Sequence, residues 1–457
     1  MLSLTAALFL GVVAFTNYRF CKSVLYPPFV FTAWWAFLLL ATAASYNQFY
    51  PLSPDTVGIF LAGAVMFTVG GAVAARACTQ MRTKVRSTQY SPRALDVILT
   101  LGLVALAALF PWYYRYAVEL AQQVSGGDFW LGRRLAELQA ADEFVTLDTL
   151  TPVGSLLPNL VVAAASLALI AYLEAGEGRF ARFRAYAYIA VATAYSVLTA
   201  ASGGLLLFVQ VAAVALMAGR RLTWRTLLVV TVACGSIFSG NGILLRKGEL
   251  FRAVSLADTV RGAFELIQLY LVGPLIAFDR SPLESWGYRP WDMWRSFLVI
   301  AVKLGYRVDV PPLHLHYTSV SPTQVINTYT MYYAYYPSYG LAGVIIITLF
   351  LGAVLTGLYV RAAQGSRVAV IMNAFMVGGI LMSGFAEQFL MATYHLLKIL
   401  IIVYAIYRIA GLWRGRGATG SRREPAFVMK DPAAWPVSTS AGTPAGTAGR
   451  YRSQVRG

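Results

Sequence analysis

Apolar runs of near bilayer-crossing length recur along the chain, most of them separated by short polar turns and two by long polar excursions. A helix needs about 20 predominantly apolar residues to cross a bilayer. On that basis the pattern predicts eleven spans, at 2–16, 27–45, 56–75, 94–110, 150–173, 185–199, 204–217, 226–238, 340–360, 368–385 and 389–410. The expected fold class is therefore all-α, a polytopic integral membrane protein with one large external loop. Residues 1–238 hold the first eight helices and an external loop at 113–149. Residues 239–339 form the large extracytoplasmic loop, and 340–410 the last three helices. A Gly/Ala/Thr/Pro-rich basic tail at 411–457 is expected to be disordered and cytoplasmic.

Both long excursions carry amphipathic patterns. One runs from Asp128 to Asp148 with Arg133, Arg134, Glu137, Asp142 and Glu143. The other, at 256–272, repeats Leu256, Val260, Phe264, Ile267 and Leu271 against Asp258, Arg261, Glu265 and Gln268. Apolar residues at that spacing describe a helix lying on the membrane surface. Loops beyond about 15 residues are usually functional or disordered. The Trp, Tyr and Phe content of 239–339 argues against disorder.

Composition sharpens this picture. Of 457 residues, 58% are hydrophobic and 12% charged, against about 25% charged in soluble domains. The net charge of +17 would suggest nucleic acid if it were spread over a soluble surface. It is not spread. With the N-terminus outside and the spans alternating, basic residues concentrate in the cytoplasmic segments at 76–93, 179–184, 220–225 and 361–367 and in the tail. That asymmetry sets orientation in a membrane and leaves no role for nucleic acid. Cys21, Cys78 and Cys234 lie at or between spans and offer no disulfide framework or metal-ligand spacing. The N-terminus reads as a retained helix, since it lacks a basic leader and a small-residue cleavage site.

Three stretches carry a resemblance to a known family. The first is Tyr26-Pro27-Pro28 with Trp34-Trp35, leading to Ser53-Pro54-Asp55. The second is Gln268, Tyr270, Gly273 and Pro274 in the large loop. The third is Asn327, Tyr329, Tyr339-Gly340, Gly343 and Gly352. Together with the many-span layout, these resemble the oligosaccharide repeat-unit polymerases, the Wzy or O-antigen polymerase family. Two positions depart from the family pattern, at Pro337-Ser338 and at Ser202-Gly203-Gly204, and no role is carried to them. The resemblance implies a glycosyltransferase of the bacterial inner membrane. It would move a growing glycan from an undecaprenyl diphosphate carrier onto the next lipid-linked repeat unit, outside the membrane. A polysaccharide chain-length regulator is an implied partner, and no cofactor is implied.

Such chemistry asks for cations at the diphosphate, a base near the acceptor hydroxyl and polar or aromatic groups along a sugar groove. Arg246, Arg252 and Arg261 are candidate diphosphate ligands, because guanidinium binds phosphate oxygens bidentately. The plain alternative for Arg261 is pairing with Asp258 or Glu265 on its own helix. His314 and His316, an i, i+2 pair after two prolines, are candidate bases, and a histidine satisfied by loop backbone is the alternative. The pair could also hold a metal with Asp309, but His-x-His alone is weak evidence for one, and no metal is expected. Glu387, His395 and Lys398 fall on one stripe of the last predicted span; Glu387 is a further candidate base and Lys398 is expected to pair structurally. Asn327, Tyr329 and Tyr270 are candidate glycan contacts, set against the aromatic belt that tyrosine forms at membrane interfaces. Two other functions compete: an O-antigen ligase-type transferase with the same donor, and a transporter or flippase of lipid-linked sugars. No internal repeat or paired broken helices favour the transporter.

Overall fold

The computed structural model describes residues 1–80, 91–125, 152–175, 178–198, 212–214, 255–281, 291–311 and 316–412. The protein is mostly helical. In chain order the helices are α1 (Leu2–Cys21), α2 (Pro27–Ala44), α3 (Pro54–Gln80), α4 (Pro92–Ser125), α5 (Pro152–Ala175), α6 (Arg179–Leu198), α7 (Leu256–Arg280), α8 (Arg295–Lys303), α9 (Tyr336–Ala363), α10 (Arg367–Met382) and α11 (Thr393–Leu412). Among the described residues, seven helices are long and apolar enough to cross a membrane, and Asn159–Leu173 and Arg367–Met382 are shorter apolar helices. The expected spans at 204–217 (save 212–214) and 226–238 lie outside the described residues, as do the stretch 128–148 and the tail from 413. A two-stranded antiparallel hairpin, β1 (Thr318–Ser319) with β2 (Val325–Ile326), adds a small β element to the expected all-α chain.

Two packed cores run through the bundle. One gathers α4, α5, α6 and α11, with Leu95, Val161, Tyr188, Tyr195 and Val403 buried in it. The other gathers α1, α2, α3 and α9 around Phe31, Trp35, Phe60, Phe67 and Leu351. Helix α10 contributes to both, through Val370 to the first and Ile380 to the second. Several buried polar groups are paired across helices, as membrane depth favours. Asn17 donates to Pro28 O, Thr32 Oγ1 and Thr68 Oγ1. Arg184, buried on α6, pairs with Asp96 of α4.

The most extensive helix pairing joins α3 to α9. Glycines make that approach possible. A Cβ at Gly70 would fall on the carbonyl oxygen of Leu349, and one at Gly352 on that of Phe67. Without hydrophobic drive between helices in lipid, such close backbone packing is a main source of association.

Helix α7 extends beyond the expected 256–272 to Arg280. Its start is fixed by a capping box between Ser255 and Asp258. Gln268 Nε2 donates to Ser45 Oγ at the end of α2 (2.7 Å), while Asp279 accepts from Ser53 N and Oγ just before α3. Residues 268 and 279 are about 16 Å apart along a helix, and the loop 45–53 joins two helix ends at one level. Helix α7 therefore lies across this end of the bundle, although its composition would suit a crossing helix. Its first half exposes Val260 and Phe264, and its second half buries Val272, Ile276 and Phe278. Phe49, Val320, Ile326 and Tyr329 pack over that second half.

Segment 327–340 enters the bundle from the same end. Tyr332 packs between Trp35 and Phe60, with ring centroids 4.9 and 5.5 Å away, and its phenol reaches Gly63. Gly63 is about 13 Å along α3 from its start, so the 3₁₀ turn Met331–Ala334 delivers a phenol to that depth. Such backbone is tolerated at membrane depth where protein buries it, and Met331, Tyr332, Ala334 and Tyr335 are all buried. The chain then turns into α9 through Gly340 at φ 60°, ψ −159°, a region accessible essentially to glycine alone. Gly340→Ala is expected to destabilise the protein by about 1–3 kcal/mol, read as a lower Tm in detergent. Open space surrounds the position where the new Cβ would stand, so an unchanged Tm would disprove backbone strain as the constraint.

Candidate functional site

The descending segment and the loop after α10 meet around one cavity. It has a volume of about 210 Å³ and is lined by Asp292, Arg295, Asn327, Tyr329, Thr330 and Glu387, together with Tyr333 and Phe385. Three stretches distant in sequence therefore build it: 292–295, 327–334 and 385–391.

Glu387 is the joint between two of them. Its Oε1 accepts from Tyr335 Oη (2.7 Å), Phe389 N (3.0 Å) and Leu390 N (2.9 Å), and its Oε2 from Met391 N (2.6 Å). Burial pushes its carboxyl above the usual glutamate range, while these donors, which favour the charged form, hold it down. The same contacts explain why α11 starts at Thr393, when the apolar pattern would start it at 389. The amides of 389–391 are held by a side chain in place of a helical turn. A hydrogen bond from Met331 N to Ser383 O (2.8 Å) fastens the two segments again.

Arg295 opens α8, directly after the 3₁₀ turn Asp292–Trp294. Its Nε donates to Pro311 O (3.0 Å). Burial lowers its affinity for the proton, and the charge of Asp292 offsets part of that. Ser296 Oγ donates to Met391 O, and Trp294 Nε1 to Tyr339 Oη (3.2 Å). These bonds tie α8 to the floor and to the start of α9.

Aromatic and hydroxyl groups form the opposite wall. Tyr329 and Tyr333 stack with centroids 4.3 Å apart. Tyr329 Oη donates to His316 O (2.8 Å) and lies 2.8 Å from Thr318 Oγ1, which locks the ring against the hairpin. Thr330 Oγ1 is buried and has no hydrogen-bond partner among the described residues. A buried hydroxyl left open in a polar cavity is a ready contact for a ligand.

Of the residues singled out from sequence, Asn327, Tyr329 and Glu387 come together here. His316 is exposed, and its backbone carbonyl accepts from Tyr329 of the cavity wall. Arg261 stands 81% exposed on α7 and pairs with Glu265 at 2.9 Å, and Tyr270 packs on the cap formed by α7 and the hairpin; neither lines the cavity. Arg246, Arg252 and His314 lie outside the described residues. Asp292, Arg295 and Thr330 are cavity residues that sequence reasoning passed over. The available signal was Trp291-Asp292-Met293-Trp294-Arg295, a charged pair framed by tryptophans. Lys398 stands five residues into α11 and Glu387 is in the preceding loop, so the expected stripe does not form.

The arrangement offers two carboxylates, one guanidinium, an amide, a hydroxyl and a stacked aromatic wall in one concavity. It is suited to binding a polyhydroxylated ligand that carries negative charge. No protein-family model, curated protein or solved structure matches the chain.

Proposed function

We propose that this protein is a glycosyltransferase that polymerises undecaprenyl-diphosphate-linked oligosaccharide repeat units at the outer face of a bacterial inner membrane. The N-terminus would lie outside and the basic tail inside, as the charge asymmetry of the connecting segments favours. The observation that carries the reading is that Arg295 and Asp292 line one cavity with the Tyr329–Tyr333 stack, at one end of membrane-length helices.

In this reading Arg295 binds the donor diphosphate and offsets the charge that grows as it leaves. The acceptor hydroxyl oxygen bonds to the anomeric carbon while the bond from that carbon to the diphosphate oxygen breaks. The electron pair departs with the diphosphate, and Asp292 takes the hydroxyl proton. Asn327, Thr330 and the tyrosine stack hold the sugars. Glu387, with both oxygens occupied by donors, acts as a positioning residue that fixes the cavity floor. A chain-length regulator is a proposed partner.

Deleting the gene is expected to abolish polymer and to leave single repeat units on undecaprenyl diphosphate at the outer leaflet. Profiling lipid-linked and surface glycans checks this. Full-length polymer stranded on the carrier would replace the reading with a ligase, and repeat units trapped at the cytoplasmic leaflet with a flippase. An unchanged glycan profile would end it.

A further inference from the structure

A second cationic feature stands outside the cavity, on the flank where α8 meets α11. Lys303, the last residue of α8, donates from Nζ to Tyr394 Oη (2.7 Å), and its Nζ lies 4.6 Å from the Tyr394 ring centroid. The Nζ of Lys398 lies 4.1 Å from the same centroid. Two ammonium groups thus share one aromatic ring, and no carboxylate pairs with Lys303 among the described residues. Like charges gathered around one ring repel, and a bound anion relieves that repulsion.

The surroundings say what kind of anion fits. Lys398 is about 7.5 Å along α11 from Thr393, close to the end of the bundle that carries the cavity. Leu397 beside it and Ile401 and Tyr404 beyond it along α11 are exposed, Ile401 by 64%. Val302 and Leu304 of the neighbouring segment are exposed as well. On a helix that can cross a membrane, this is an apolar strip facing lipid, topped by two cations and an aromatic ring. Lysines and tyrosine anchor helices at that level by themselves, but two cations from different helices meeting at one ring offer an anionic headgroup two charges at once.

We propose that Lys303, Tyr394 and Lys398 bind the phosphate headgroup of an anionic membrane lipid whose acyl or prenyl chain lies along Leu397, Ile401 and Tyr404. The proposal stands apart from the glycosyltransferase reading. Bilayer phosphatidylglycerol and a polyprenyl phosphate share the required chemistry. Helix α8 carries Arg295 at the cavity and Lys303 at this site, about 12 Å apart by helical rise, so a lipid held here has its headgroup beside the cavity mouth.

Native mass spectrometry of the full-length protein in detergent tests this with four probes: phosphatidylglycerol, undecaprenyl phosphate, zwitterionic phosphatidylethanolamine and inorganic diphosphate. Wild type is expected to retain the anionic lipids in preference to phosphatidylethanolamine. Lys303→Ala and Lys398→Ala should each weaken that retention about fivefold, and the double variant more than tenfold. The Lys303→Arg, Lys398→Arg double variant should keep it, and an unchanged Tm in detergent separates lost binding from lost fold. Retention of only one anionic lipid identifies the source and supports the site. Equal retention by wild type and the double alanine variant would overturn the proposal, as would binding of inorganic diphosphate with no preference between lipids.

Discussion

Arg295→Ala is expected to cut polymer formation by about 10²–10³-fold, the usual loss when a donor to developing negative charge is removed. The guanidinium has two tasks in the cavity: its Nε holds Pro311 O, and the rest of the fork faces the space shared with Asp292 and Asn327. Alanine removes both. Arg295→Lys separates them, because an ammonium keeps the charge without the planar fork. The lysine variant is expected to recover part of the rate at the Tm of wild type. Asp292→Asn should cost about 10²–10⁴-fold if the carboxylate takes the acceptor proton, with little change in stability at a half-buried position. Glu387→Gln behaves differently in this account. It sets an amide N–H₂ among four donors and should lower Tm and activity together. In vitro polymer assays with matched Tm measurements distinguish these patterns. An Arg295→Ala variant with normal Tm and normal polymer would remove this residue from the mechanism.

How much of this was written in the chain differs from element to element. Helices α1 to α3 follow their apolar runs, because a membrane-crossing helix must be apolar along its length. The end of α4 was not legible. Pro111 reads as a stop, yet the helix continues to Ser125, and beyond the proline Tyr113 packs against Tyr195 at 4.9 Å. Proline deprives a helix of one hydrogen bond, and tertiary packing outweighs that. The first half of α7 follows its one-sided pattern, but its second half is apolar all round because the hairpin and the loop 45–53 cover it, a fact that local periodicity cannot contain. The site was half legible. Asn327 and Tyr329 lie in a polar run that had to serve something. Arg295 stands alone among tryptophans, and its value comes only from Asp292 beside it and from the cavity that Glu387 closes from another part of the chain.

Gly70→Ala and Gly352→Ala are each expected to destabilise the protein by about 1–3 kcal/mol, read as a lower Tm in detergent. Alanine normally stabilises a helix by roughly 0.5–1 kcal/mol over glycine, so the predicted sign runs against propensity. The reason is the crossing of α3 and α9. There the new methyl group meets backbone, Leu349 O on one side and Phe67 O on the other, and backbone in a helix cannot rotate aside as a side chain can. The helices must separate, which withdraws dispersion contacts along the most extensive pairing in the bundle. Separation also loosens the wall that holds Tyr332 at Gly63, so the cavity floor would shift with it. Gly58 and Gly357 lie on the same two helices with nothing near their Cβ positions. Gly58→Ala and Gly357→Ala should therefore leave Tm unchanged or raise it. Because both clashes act at one crossing, the double variant should lose less than the sum of the singles. If all four alanine variants shifted Tm alike, close backbone approach would not be what joins α3 to α9.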